Sequence, residues 1–133
     1  MLKRVLIVDD NALVRKAVCS LVTLDGFSVC GEAGDGAQAI EEARQTRPDV
    51  IVLDFSMPVM DGIRAAKALK QIMRHVPLIL FTAHASRSLE TDALAAGIAA
   101  IISKQQGAPD LVTKAHKLLS TQRAVETPEL RHG

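Results

Sequence analysis

Five short aliphatic runs punctuate the chain, at residues 4–8, 27–33, 50–53, 78–81 and 99–102. Each is four to seven residues long and bounded by turn formers, the signature of strands buried on both faces. Helical periodicity fills the gaps. Val14, Val18, Leu21 and Val22 recur at i, i+4, i+7 and i+8. A weaker stripe of Ala37, Ile40, Ala43 and Arg44 stops before Pro48. Ile63, Ala66, Leu69, Lys70 and Met73 form a third, closed before Pro77. Leu89, Ala93 and Ala96 form a fourth with Gly97 as its C-cap, and Leu111, Ala115, Leu118 and Leu119 a fifth after Pro109. Strand and helix alternate five times, which predicts an α/β domain: a doubly wound parallel sheet with helices on both faces. Residues 122–133 are polar, contain Pro128 and lack a clear period. They read as a C-terminal tail or the start of a linker after one domain over 1–121.

Composition narrows the picture. With 133 residues there is room for one domain. Hydrophobic residues make up 48% and charged residues 23%, which excludes disorder. Three Phe are the only aromatic side chains, so the core is built from Val, Ile, Leu and Ala. A net charge of +1 argues against direct nucleic-acid or membrane-surface binding. No apolar run reaches the roughly 18 residues of a membrane span. The N-terminal apolar stretch stops at Asp9-Asp10, too short for a signal peptide. Cys19 and Cys30 show no metal or redox spacing and fit free thiols of a reducing, cytoplasmic compartment.

The chemistry lies at strand ends. In a doubly wound sheet, ligands bind outside the carboxyl ends of the strands. Asp9 and Asp10 follow the first run, Asp54 the third, Thr82 and Ala83 the fourth, and Lys104 the fifth. Taken singly, each Asp reads more simply as a helix or loop cap. Taken together they form three carboxylates, a hydroxyl and an ammonium at one sheet edge. Three close carboxylates repel, and a hard divalent cation such as Mg²⁺ relieves them. His84, two residues after Thr82, either lines the mouth of this site or is a solvated loop residue. Lys67, Lys70 and Arg74 read as a solvated face. The first helix carries a second stripe of Leu13, Ala17, Ser20 and Leu24. This stripe either docks a partner or is buried like the first.

Val5-Leu6-Ile7-Val8-Asp9-Asp10, Leu53-Asp54-Phe55-Ser56-Met57-Pro58-Val59-Met60-Asp61-Gly62, Phe81-Thr82-Ala83 and Lys104 resemble, in order and spacing, the receiver domain of bacterial two-component response regulators. The resemblance covers about residues 3–120. Gly31-Glu32-Ala33-Gly34-Asp35-Gly36 and Ala93-Leu94-Ala95-Ala96-Gly97 are similar to the subgroup whose receivers precede LuxR-type helix-turn-helix domains. The resemblance implies a flavodoxin-like strand order 2-1-3-4-5 and a signalling switch, not an enzyme with external turnover. It implies Asp54 as phosphoacceptor for a histidine kinase or histidine phosphotransfer protein. Asp10 would bind Mg²⁺ directly and Asp9 through water or weakly, with Asp54 and the Ser56 backbone carbonyl as further ligands. Thr82 and Lys104 would hold phosphoryl oxygens. Met57-Pro58 and Asp61-Gly62 would shape the loop. Helix 4, strand 5 and helix 5 would carry an output contact or a phosphorylation-dependent dimer.

Two positions depart from the family pattern. Ile101 stands where an aromatic normally swings inward, and Gln105 stands where Pro usually follows the Lys. Both bear on the switch more than on the phosphoacceptor. Two other readings compete: a Mg²⁺-dependent phosphohydrolase with an Asp nucleophile, and a pseudo-receiver that only binds partners. The first expects an acid two residues after the nucleophile, where this chain has Ser56. The intact Asp10, Asp54, Thr82 and Lys104 set speaks against the second.

Overall fold

The computed structural model describes residues 2–132, with side chains over 2–121. Ten elements alternate: β1 Arg4–Val8, α1 Ala12–Leu24, β2 Ser28–Ala33, α2 Gly36–Thr46, β3 Val50–Leu53, α3 Gly62–Ile72, β4 Leu78–Thr82, α4 Arg87–Ala95, β5 Ala100–Ser103 and α5 Ala108–His132. The five strands pair in parallel in the order β2-β1-β3-β4-β5. This is the flavodoxin-like order that the sequence implied.

Period-2 alternation sorts the strand side chains into two cores. Leu6, Val8, Ile51, Leu53, Leu78 and Leu80 face one side, where Ala39, Ala43, Ala65, Ala66 and Ala93 line α2, α3 and α4. Methyl-sized side chains let these helices approach the sheet closely. Val5, Ile7, Val50, Val52, Ile79 and Phe81 face the other side, under Val18 and Val22 of α1 and Leu111, Ala115 and Leu119 of α5. Most of the strand residues are wholly enclosed, which explains why β3 and β4 read as unbroken apolar runs.

Helix ends follow local chemistry. Gly97, at φ +93°, donates to Leu94 O, while Ile98 N–H donates to Ala93 O. This is the double C-terminal closure that requires a left-handed residue. The same closure ends α1, where Phe27 N–H donates to Val22 O. Phe27 therefore belongs to the helix stop and the core, and β2 starts one residue later than its apolar run. β5 likewise lies one residue further on than expected, because Thr82 pairs with Ser103. α5 continues to His132, through the stretch 122–132 that the sequence assigns to a tail. The side chains of that stretch lie outside the described residues. Cys19 and Cys30 are half-buried free thiols. Among the described residues no helix is long and apolar enough to cross a membrane.

Candidate phosphoacceptor site

The sheet ladder continues one residue past two strands. Asp9 N–H donates to Ala33 O at 3.0 Å, and Asp54 N–H donates to Val8 O at 3.0 Å. Because β1 and β3 are neighbours at the centre of the sheet, these bonds set Asp9 and Asp54 side by side. Carboxylate oxygens of Asp9, Asp10 and Asp54 all lie within 4.8 Å of one another. At that spacing a like-charged pair costs about 3.5 kcal/mol for an effective dielectric of 20. β5 supplies the counter-charge. Lys104 N–H donates to Thr82 O at 2.8 Å, which fixes its backbone beside β4. Its Nζ reaches Asp9 Oδ2 at 2.8 Å and lies 3.4 Å from Asp54 Oδ2. One ammonium against three carboxylates leaves the cluster strongly negative.

The three carboxylates are not equivalent. Asp9 is 4% exposed and both its oxygens are engaged, Oδ1 by Asn11 N–H at 2.9 Å and Oδ2 by Lys104. Asp54 is 6% exposed; its Oδ1 accepts from Phe55 N–H at 2.8 Å. Asp10 is exposed and, among the described residues, has no hydrogen-bond or ion-pair partner. Burial pushes the Asp54 carboxyl above the ordinary aspartate range; Lys104 opposes this and Asp9 adds to it. For Lys104 burial works toward a lower value, yet its hydrogen bond to Asp9 and the charge of Asp54 outweigh it and raise the ammonium's pKa. The donor set is all hard oxygen with excess negative charge, which suits Mg²⁺.

Thr82 is fully buried at the end of β4, and its Oγ1 accepts from His84 N–H at 3.2 Å. His84 and Ala83 are exposed beside it. Ser56 is exposed in the loop after β3. That loop is shaped closely. Val59 has φ +71°, and Met60 N–H donates to Pro58 O at 2.7 Å across it, a tight γ-turn. Asp61 stays out of the acidic cluster and caps α3 through Arg64 N–H at 2.9 Å. A Cβ on Gly62 would collide with the Asp54 carbonyl oxygen and come within 2.9 Å of Phe55 Cα. Glycine there lets α3 seat directly against the backbone of Asp54.

The capping alternative for Asp9 and Asp10 is not realised. Asn11 caps α1, its side chain accepting from Leu13 and Val14 N–H. Sequence reasoning passed over Asn11, although an Asn directly before the helical stripe is an ordinary cap signal. It also missed Arg15, whose guanidinium donates to the Asp9 carbonyl at 2.7 Å. Ile101 is half-buried, pairs with Leu80 and packs on the α2–α3–α4 core. A hollow of about 620 Å³, lined by Arg44, Arg47, Ile72 and Arg74 among others, opens at the opposite end of the strands and takes no part in this cluster.

Relatives agree with this geometry. The profile of the response regulator receiver domain matches residues 5–116. Chemotaxis protein CheY of Bacillus subtilis is 38% identical over 120 residues, which cover 90% of this chain and 100% of that protein. Transcriptional regulatory protein PdtaR of Mycobacterium tuberculosis is 35% identical over 127 residues; the match spans 96% of this chain and 62% of that protein. The solved signal receiver domain of NarL from Mycobacterium tuberculosis superposes with a TM-score of 0.84 at 32% identity, over 90% of this chain and 97% of that one. A parallel sheet of this order, with an acidic cluster at its carboxyl edge and this extent of likeness, makes the chain a member of the response regulator receiver domain family.

Proposed function

We propose that the chain is a phosphoacceptor switch of a two-component system, with Asp54 taking the phosphoryl group. The carrying observation is Lys104, whose Nζ bridges Asp9 and Asp54 while Asp10, without a hydrogen-bond or ion-pair partner among the described residues, stands beside them. An ionised Asp54 oxygen attacks phosphorus, the P–N bond of a phosphohistidine breaks, and the imidazole leaves with its electron pair. Asp10 and Asp54, with the Ser56 carbonyl, would hold Mg²⁺ directly and Asp9 less closely, since both Asp9 oxygens already have partners. When bound, the ion would neutralise charge on the phosphoryl oxygens. Lys104 and Thr82 would bind the remaining oxygens, and the small Ala83 leaves the approach open. Turnover of external phosphoesters is not part of this reading, because Ser56 offers no acid group. Acetyl phosphate with Mg²⁺, followed by intact mass, tests the assignment directly.

The donor is a histidine kinase or histidine phosphotransfer protein, and we assign its docking surface to α1. Leu13 is 83% and Leu24 84% exposed, with Ala17 and Ser20 open between them. This stripe is not buried, so it is free for a partner. Ala17→Glu is expected to slow transfer from a phosphohistidine protein while leaving acetyl phosphate labelling unchanged. Transfer from the phosphohistidine protein that is unchanged would defeat the assignment, whereas equal loss of both would show a folding defect.

The output face is α4, β5 and α5, serving an effector, a further domain of the LuxR-associated kind or a phosphorylation-dependent dimer. We take residues 1–121 as the receiver unit, 122–133 as a tail or linker, and the cytoplasm as its place of action. A hollow of about 240 Å³ lies between Leu94 of α4 and Ile101 of β5. Ile101 gains no hydrogen bond by moving when Thr82 is drawn toward a phosphoryl group. The two states therefore differ less in free energy and the population shifts less fully. Amide shifts at Ser88, Leu89 and Ile101 on phosphorylation are expected to be smaller than those beside Asp54. Ile101→Tyr should enlarge them; if the wild-type shift is already complete and Tyr adds nothing, Ile101 is no handicap.

A further inference from the structure

We propose that Arg15 is a positioning residue for the cation-binding carboxylates, acting through the backbone of Asp9. The inference rests on the reading of Asp9, Asp10 and Asp54 as a Mg²⁺ site. Arg15 lies one turn into α1 and its side chain is only 19% exposed. The planar guanidinium is used in two directions at once. Nη1 donates to the Asp9 carbonyl at 2.7 Å, and Nε donates to Glu32 Oε1 at 3.0 Å. Glu32 sits on β2 opposite Ile7, two residues before Asp9 on the neighbouring strand. Its other oxygen accepts from Lys16 at 3.0 Å, but Lys16 is 67% exposed and touches nothing at the site. Arg15 thus ties α1, the end of β2 and the peptide joining Asp9 to Asp10 into one unit.

That peptide is where the two adjacent carboxylates diverge, one buried on Lys104 and one open to solvent. Asp9 N–H is already held by Ala33 O. With its carbonyl held by Arg15, both faces of the Asp9 backbone are pinned, and the direction of Asp10 is set as a consequence. Lysine cannot substitute, because an ammonium lacks the fork that reaches two acceptors in fixed geometry.

Charge and geometry predict opposite outcomes here. Arg15 is a cation near a cation site, so removing it would tighten Mg²⁺ binding if only its charge mattered. A positioning role predicts weaker binding. Loss of partners that orient metal ligands typically costs about 10–100-fold in affinity. The test is titration of the whole chain with MgCl₂, followed by calorimetry and amide shifts, with thermal unfolding in the absence of Mg²⁺ alongside. Arg15→Gln and Arg15→Lys should both bind Mg²⁺ about tenfold or more weakly. Glu32→Gln should weaken it less, and Lys16→Gln hardly at all. Arg15→Lys keeps the charge, so it reports geometry even if Arg15→Gln unfolds. Binding by either Arg15 variant as tight as wild type, or tighter, overturns the proposal. A wild-type chain that takes up no Mg²⁺ overturns the reading of the site instead, which keeps the two failures apart.

Discussion

Asp54→Ala is expected to remove all phosphoryl incorporation from acetyl phosphate and Mg²⁺, seen as the absence of the adduct in intact mass. The effect is complete because the change deletes the attacking oxygen itself. Asp9 and Asp10 cannot replace it: Asp9 is locked on Asn11 N–H and Lys104, and Asp10 lies on the solvent side. An adduct that persists in Asp54→Ala would sink the assignment. Lys104→Met should retain the nucleophile but slow labelling roughly 10²-fold, the usual loss on removing one preorganised charge-stabilising group. The pH dependence has a definite sign. Only ionised Asp54 attacks, and burial raises its pKa above the ordinary aspartate range. In the metal-free protein Asp54 should therefore titrate above a free aspartate, and Mg²⁺ held beside it should bring that midpoint down. Amide shifts against pH, with and without MgCl₂, follow both. Lys104→Met removes the group that opposes this rise, so its metal-free midpoint should lie higher still.

Mg²⁺ should raise the melting temperature of the wild type by several degrees. A ligand at a hundredfold excess over its Kd stabilises by about 2.7 kcal/mol. For a domain of this size each kcal/mol is worth roughly 3–5 °C. Asp10→Ala should abolish the shift without lowering the metal-free melting temperature, because the exposed Asp10 side chain has no hydrogen-bond or ion-pair partner among the described residues. Asp9→Ala should destabilise, since it removes the closer of the two partners of Lys104 and the acceptor of Asn11 N–H. Without Mg²⁺, the raised Asp54 pKa favours the fold at low pH, and that contribution disappears as pH rises through the raised value. Asp54→Asn should flatten this slope. Lys104 also has a raised pKa, so its contribution holds through neutral pH and is lost only in the strongly alkaline range. Melting that ignores millimolar Mg²⁺ in the wild type would count against the site.

Much of this was legible along the chain. Val5 to Val8, Val50 to Leu53 and Leu78 to Phe81 are enclosed by helices on both sides, so almost every position must be apolar, and the strands announce themselves. Helix stops at Gly97 and before Pro48 are local events, set by φ and by a missing N–H donor, and local residues report them, whereas α3 already ends at Ile72, short of Pro77. The strand order arrived through likeness to a family, since nothing in an aliphatic run says which neighbour it pairs with.

What the sequence by itself determined is the inventory: alternating elements, an aliphatic two-sided core, and three carboxylates, a hydroxyl and an amine at strand ends. Only the tertiary structure decided how these residues divide the work. Asp9 and Asp10 are identical and adjacent, yet one is buried on a lysine 95 positions away and the other is open. Arg15 looks like any polar helix residue until Glu32 and the Asp9 carbonyl close around it. Gly62 reads as a loop glycine until α3 presses on the carbonyl of Asp54. The physical reason is common to all three. Side-chain period encodes burial, which is a local average, whereas charge pairing and backbone approach depend on contacts made between distant segments only once the sheet has closed.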